Sequence, residues 1–206
     1  IQQLISHIKN EFLTVEPNLI IEIQKVTTPE KVMEVGVQEN FIKAIYTSLN
    51  GVYRMSPTIS GLVETSNNIA RVIAKEGLIK INCLTRSSSD SSKQDLTNSL
   101  KSAFELAGFD SKFSGEYPGW QPNIHSKILE VVSNIYEELH GKKARVAACH
   151  AGLECGILGQ NYPTMDMVSF GPTILGAHSP DEKVSISSTQ KFWNFLQEIL
   201  KNIPKK

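Results

Sequence analysis

The chain has 206 residues, which is enough for one large domain or two small ones with a sizeable buried core. Its 21 basic and 21 acidic residues are spread without long like-charge runs, which argues against a nucleic acid or an anionic membrane as partner. The 3 cysteines show no C-x-x-C spacing, and no apolar run reaches the roughly 20 residues that cross a bilayer. We therefore expect a cytoplasmic protein that acts on a small molecule or a protein, and the start at Ile1 suggests part of a longer chain.

Helical and extended patterns alternate in the first half of the chain. Apolar residues at helical spacing predict helices over 1–12 and 42–49. Between them, "NLIIEIQKV" (18–26) is typical of a strand, and the later "LNGVYRMSP" is typical of a turn. The first elements are therefore expected in the order helix, strand, helix.

Two extended stretches, "LVETSNNIARV" and "LIKINCLTRSS", are separated by a connection that ends at Gly77, so they predict a β-hairpin. Because side chains alternate along a strand, Glu64, Ser66 and Asn68 share one face of the first stretch. Arg86 on the second stretch is expected roughly opposite Ser66 to Asn68. An arginine beside an amide such as that of Asn68 can bind a carboxylate through two hydrogen bonds. The alternative is an ordinary arginine on a solvated sheet face.

A third predicted helix follows the hairpin. Ser91 and Gln94 have the spacing of a capping box, which predicts that this helix opens near Lys93. Up to Phe113 the order of elements is typical of an α+β domain, in which helices cover one face of a sheet.

The composition changes at "FSGEYPGWQPN" (113–123), where glycines, prolines and aromatic residues cluster, and we predict a domain boundary there. Beyond it, a helical pattern stops at Gly141, and "ARVAAC" and "MDMVSFG" are typical of short strands. Ser187 and Gln190 again have capping-box spacing before a final helix. This alternation predicts part of an α/β layer.

Two loops that follow the predicted strands are candidate sites, because ligands of α/β sheets collect at the carboxyl ends of strands. In "CHAGLECG", His150 and Glu154 form either a structural turn or a catalytic pair. In "GPTILGAHSPDE", His178 lies between two prolines and is either a metal ligand or an ordinary loop histidine. A catalytic zinc needs at least three protein ligands, so a metal bound by His178 would need partners elsewhere.

The segment "HAGLECGILGQNYPTMDMVSFGPTILGAHSPDEKVSI" closely resembles the C-terminal part of the aminoacyl-histidine (Xaa-His) dipeptidases, or peptidase D type, of the M20 zinc metallopeptidase family. "GEYPGWQPN", "NGVYRMSP" and "LVETSNN" match the same family upstream. The resemblance implies two parts. Residues 1–113 would be an N-terminally truncated lid and dimerisation domain with a ferredoxin-like sheet, and residues 114–206 the C-terminal part of an α/β zinc-peptidase catalytic domain.

The resemblance also implies an activity. A cytosolic homodimer, joined through the lid, would hydrolyse Xaa-His and related dipeptides with water activated by two zinc ions, or other divalent metals, in each subunit. His178 matches the last zinc ligand of the family, whereas the general base would lie upstream of Ile1. We therefore expect no catalytic base within this chain and no activity of the chain alone.

Substrate-binding residues carry over in the same way. Arg86 matches a lid arginine that binds the C-terminal carboxylate of the substrate, and Asn68 falls at the position of a lid asparagine. Independently of the resemblance, Asp181 or Glu182 is expected to orient the imidazole of His178 through its second nitrogen, because metal-binding histidines commonly donate to a carboxylate. The remaining matches line the substrate pocket or its rim: Gly171, Pro172, Thr173, His150 and Glu154. Two alternatives stay open, namely a deacylase or amidohydrolase of the same superfamily and a non-catalytic dimerisation module.

Overall fold

The computed structural model describes residues 1–148, 150 and 154–203, which form two compact units, Ile1–Val35 and Gly36–Lys206. In the first unit, helix α1 (Gln2–Phe12) confirms the first predicted helix. The strand predicted over 18–26 is wrong, because this segment has no regular structure and pairs with no other segment among the described residues. A strand needs the ladder of a neighbour, and β-rich composition alone does not supply one.

The second unit starts with helix α2 (Val35–Thr47) and a three-stranded antiparallel sheet in the order β1-β2-β3. The strands are β1 (Gly51–Met55), β2 (Val63–Lys75) and β3 (Leu78–Ser87). Strand β1 corrects the prediction of a turn over "LNGVYRMSP", since its short sequence becomes a strand by pairing with β2.

The predicted hairpin is confirmed. Strands β2 and β3 pair from Thr65 opposite Ser87 to the turn. At the turn, Glu76 and Gly77 have φ values of 55° and 78°. Two successive residues in the left-handed region match the twist of paired strands, which explains the glycine at this point.

Helix α3 (Asp90–Leu106) packs against the sheet. Its cap is Ser89, whose hydroxyl accepts a hydrogen bond from the Ser92 N–H, so the helix opens earlier than the predicted Ser91 box. Below the cap, the Thr65 hydroxyl is hydrogen-bonded to the hydroxyls of Ser87 (2.7 Å) and Ser92 (2.8 Å) in a buried polar cluster. The apolar core shared by α2, α3 and the sheet contains Ala44, Leu96, Leu100, Phe104 and, half-buried, Leu49 and Ile81.

A second core joins helices α4 (Lys127–His140) and α6 (Ile186–Lys201) through Val132, Ile135, Phe195 and Ile199. Gly141, with φ 64°, ends α4 as predicted. The cap of α6 is Ser185, which corrects the predicted Ser187 box. Between these helices lie α5 (Glu154–Asn161) and a two-stranded ribbon of β4 (Ile174–Leu175) and β5 (Lys183–Val184).

The strands predicted in "ARVAAC" and "MDMVSFG" are wrong for the residues that the structure describes, whereas Cys149 lies outside them. Segments 144–148 and 165–171 pair with no described strand, although both line a common cavity. The helices and antiparallel sheets agree with the α+β part of the predicted fold. The division near residue 113 stays a prediction.

Close backbone packing connects the sheet with α5. A Cβ on Gly119 would lie 2.6 Å from the Ser88 carbonyl oxygen, and a Cβ on Gly156 would lie 2.6 Å from that of Pro118. The Gly119 N–H donates to Asp90 Oδ1 at 3.0 Å. This bond is the main reason why the pKa of Asp90 lies below its usual range. Partial desolvation opposes the shift, and nearby Lys93 adds to it. The bond therefore stabilises the fold above the usual carboxyl pKa and is lost as the pH falls through the folded-state pKa.

We expect Gly119→Ala to destabilise the protein by about 1 to 3 kcal/mol, because the new methyl group meets backbone that cannot move aside cheaply. Chemical unfolding measures the change. Gly36→Ala is the matched control, since a Cβ at Gly36 meets nothing within 4 Å. Equal unfolding midpoints for Gly119→Ala and the parent would contradict the close contact.

Candidate functional site

One face of the β2–β3 hairpin carries the predicted arginine. Ser66 lies directly opposite Arg86, within the range 66–68 that the face count predicts, and Asn68 lies opposite Leu84 two pairs further along. The opposite face of the hairpin is turned towards α3, because the Thr65 hydroxyl is bonded to Ser92 of that helix. Ser66, Asn68 and Arg86 therefore share the face away from α3.

His150 contacts this face. Its Nε2 lies 2.9 Å from the Ser66 hydroxyl oxygen, so strand β2 and the segment before α5 meet at one hydrogen bond. The imidazole is half-buried. Desolvation by burial, and then the positive charge of Arg86, lower its pKa from the usual value of 6.5. At neutral pH the ring is therefore uncharged, with one N–H donor and one acceptor nitrogen.

The Arg86 guanidinium is exposed and forms no ion pair among the described residues. The buried Glu64, two residues before Ser66 on β2, has its own partner, since its Oε1 lies 3.4 Å from Arg54 Nε. Arg86 is thus available to an external anion. A planar guanidinium presents a fork of donors that suits a carboxylate.

Glu154 begins α5, where a carboxylate is favourable beside the positive end of the helix dipole. Its side chain is exposed, and within the described part of the chain it forms no hydrogen bond with His150. The hypothesis of a His150–Glu154 catalytic pair therefore gains no geometric support, because His150 pairs with Ser66 instead.

The loop after residue 170 borders a cavity of about 760 Å³ beside α4 and α6. The Thr173 N–H donates to the Ser188 hydroxyl at 2.9 Å, and its carbonyl accepts from the Ser185 N–H at 3.0 Å. These two bonds fix the loop to the start of α6. Gly171, Pro172 and Thr173 all line the cavity, as pocket residues would, but their binding of substrate stays a prediction.

His178 lies in the turn between β4 and β5 with φ 63°, an uncommon conformation for a residue other than glycine. Its side chain is exposed. The Glu182 carboxylate accepts a hydrogen bond from the His178 backbone N–H at 2.8 Å. Glu182 therefore holds the backbone of this turn, whereas the sequence-based expectation was a bond to the imidazole.

The described residues do not assemble a metal site by themselves. They contain no group of three or more His, Cys, Asp or Glu side chains that could hold a metal ion. A catalytic zinc needs at least three protein ligands, and His178 alone is one candidate. No hydrogen bond or ion pair of the described residues connects His178 with the Arg86 and His150 group.

Sequence reasoning missed Ser66 as a functional contact. The alternation of side chains placed it on the right face, beside Arg86. Its bond to His150 joins residues 84 positions apart, and no local pattern indicates such a contact.

The model of the peptidase family M20/M25/M40 matches residues 7–202. The chain belongs to this family. The predicted resemblance is thereby confirmed, and the antiparallel sheet, the paired hairpin strands and the polar group around Arg86 belong to an M20-family protein.

Individual relatives agree with this assignment. The chain is 41% identical over 199 residues to the cytosol non-specific dipeptidase of Escherichia coli K12. This match covers 97% of the present chain and 41% of that protein. The aminoacylhistidine dipeptidase structure from Vibrio alginolyticus matches with 40% identity and a TM-score of 0.83, over 100% of this chain and 42% of that one. An aminopeptidase from Bacillus cereus, with 17% identity, a TM-score of 0.58 and coverage of 82% and 45%, shares the fold.

The chain thus spans about two fifths of the length of the two dipeptidases. No described helix is both long and apolar enough to cross a membrane.

We expect Arg86→Met to raise the pKa of His150 towards its usual value, because the substitution removes a nearby positive charge. NMR titration of the ring Cε1–H signal, assigned with His150→Gln, measures the shift. Arg71→Met is the matched control, since Arg71 lies on the same hairpin opposite Asn82 and away from Ser66. A pKa of His150 that is the same in Arg86→Met and in the parent would contradict the proximity of the two side chains.

Proposed function

We propose that the chain is the C-terminal part of a metal-dependent dipeptidase that hydrolyses Xaa-His and related dipeptides. Membership of the M20 family supports a peptidase, and identities of 40 to 41% to two dipeptidases support the substrate class. The observation that carries the proposal is Arg86, which forms no ion pair with any described residue, beside a neutral His150 on one face of the hairpin.

Every dipeptide ends in a carboxylate close to the bond to be cut. A dipeptidase can therefore recognise the length of its substrate by binding that carboxylate. Arg86 binds this carboxylate through two charge-assisted hydrogen bonds. Asn68, on the same face of the hairpin, and His150, bonded to Ser66, contribute polar contacts around it. Further polar contacts and the pocket wall come from Glu154, Gly171, Pro172 and Thr173.

His178 acts as one metal ligand in this proposal. Its exposed ring lies in a turn whose backbone is held by Glu182, which suits a ligand better than a core residue. A zinc pair would supply a water molecule of lowered pKa as nucleophile. The other ligands and the general base belong to the part of the relatives that this chain does not cover.

The remaining features of the proposal rest on the family resemblance of the sequence. We place the complete enzyme in the cytosol as a homodimer joined through residues 1–113, with residues 114–206 closing the catalytic domain. The 206-residue chain alone would be inactive, because one histidine cannot hold a catalytic zinc pair.

Arg86 can be tested in the complete polypeptide. We expect Arg86→Ala to raise KM for a dipeptide by about 10- to 100-fold, which corresponds to the loss of a hydrogen bond to a charged group. Arg86→Lys should lie between the parent and Arg86→Ala, since lysine keeps the charge but lacks the fork. Parallel assays use the same dipeptide with an amidated C-terminus.

The amidated substrate distinguishes carboxylate binding from a general effect, because it lacks the group that Arg86 binds. Arg86→Ala should therefore change its hydrolysis little. Equal losses on the free acid and the amide would overturn the assignment of Arg86. Arg71→Ala serves as the matched control in both assays.

His178 can be tested by metal content. We expect His178→Ala in the complete polypeptide to release about one zinc per subunit and abolish dipeptide hydrolysis, while the melting temperature changes little, because the side chain is exposed. Elemental analysis and a melting curve measure both effects. His125→Ala, another exposed histidine, is the control. Full metal content and normal turnover of His178→Ala would refute the ligand assignment.

A further inference from the structure

The hydroxyl of Ser66 lies at the centre of the site on the hairpin face. Its oxygen is 2.9 Å from Nε2 of His150, and this hydroxyl forms no second hydrogen bond within the described part of the chain. The strand register places Ser66 opposite Arg86. One hydroxyl group thus contacts the imidazole and neighbours the guanidinium.

We propose that Ser66 is a positioning residue for carboxylate binding: its hydroxyl donates to Nε2 of His150 and holds the ring in the Nδ1–H form beside Arg86. The imidazole and the guanidinium then offer N–H donors to the same carboxylate. This inference rests on the proposed function, in which Arg86 binds the C-terminal carboxylate of a dipeptide.

The tautomer decides what the ring offers to a ligand. A neutral imidazole has one donor and one acceptor nitrogen, so a hydrogen bond at one nitrogen fixes the character of the other. If Nε2 accepts from Ser66, Nδ1 carries a proton and can donate to a carboxylate. In the opposite form the lone pair of Nδ1 repels carboxylate oxygens. Burial and the charge of Arg86 keep the ring neutral, so the choice of tautomer is not overridden by protonation.

Strand β2 is a rigid support for this hydroxyl. It is the central strand of its sheet, and Ser66 is paired with Val52 of β1 on one side and with Arg86 of β3 on the other. A polar group on a doubly paired strand keeps its position better than one on a loop. His150, which precedes α5 outside any strand, therefore takes its orientation from Ser66.

The tautomer can be read directly by NMR on the 206-residue chain, from the ring ¹⁵N chemical shifts of His150. We expect an unprotonated Nε2 and a protonated Nδ1. Ser66→Ala should move the ring towards the Nε2–H form that histidine prefers in water, and Ser66→Thr should keep the parental pattern, since it retains the hydroxyl. Ser102→Ala removes a different hydroxyl, bonded to Asn98 on α3, and should change nothing.

Kinetics of the complete polypeptide test the consequence for binding. We expect Ser66→Ala to raise KM for alanyl-histidine about fivefold, which corresponds to the loss of one neutral hydrogen bond, and to leave kcat nearly unchanged. Ser66→Thr should restore KM. The C-terminally amidated dipeptide should show no effect, because it has no carboxylate to be bound.

The outcomes separate this inference from the proposed function. A protonated Nε2 in the parent, the same tautomer in Ser66→Ala, or an unchanged KM for alanyl-histidine would each overturn the positioning role. A complete polypeptide without dipeptidase activity would instead refute the proposed function. In that case, NMR titration of the 206-residue chain with alanyl-histidine decides whether Ser66 still controls a carboxylate site.

Discussion

Direct backbone packing at Gly119 is the constraint on which the arrangement of the site depends. The segment 118–119 lies between the Ser88 carbonyl and α5, and there is no room for a Cβ at Gly119 or at Gly156. Arg86 comes two residues before Ser88 along the chain, and His150 comes four residues before α5. A contact that fixes the two flanking segments therefore also limits the distance between the two functional side chains.

The electrostatics of the site follow from which charges already have partners. Glu64 is buried and pairs with Arg54, so it does not neutralise Arg86. Lys93 is engaged as well, with Asp90 and with the Tyr117 carbonyl. Among the described residues the guanidinium of Arg86 forms no ion pair, so its positive charge acts on the neighbouring imidazole, whose pKa it helps to lower.

Sequence reasoning could predict the elements that local chemistry decides. The β2–β3 hairpin and the end of α4 at Gly141 follow from alternation and glycine placement, which also put Arg86 roughly opposite residues 66–68. Predictions from the sequence were wrong where strand pairing or helix caps depend on the rest of the molecule. Strand β1 exists because β2 lies beside it, and the segments 18–26 and 144–148, which were predicted as strands, pair with no described neighbour.

The candidate site likewise has features that the sequence could predict and features that it could not. Residue types and motif resemblance identified Arg86, His150 and His178 as candidates, since their chemistry is visible in the sequence. The bond between Ser66 and His150 could not be predicted, because it depends on a tertiary approach of distant segments. The bond of Glu182 to a backbone N–H, rather than to the imidazole of His178, depends on the left-handed turn.

The register shift of the hairpin between Ile69 and Arg71 determines which residue of β2 lies opposite Arg86. From the turn, pairing runs evenly up to Arg71 opposite Asn82, and continued without interruption it would set Arg86 opposite Asn67. The extra residue in β2 shifts the count by one, so Arg86 faces Ser66 instead. Asn67, buried and bonded to the Leu49 carbonyl, belongs to the opposite side of the sheet. One inserted residue thus changes the separation of paired residues from odd to even and decides which residue of β2 lies opposite the arginine.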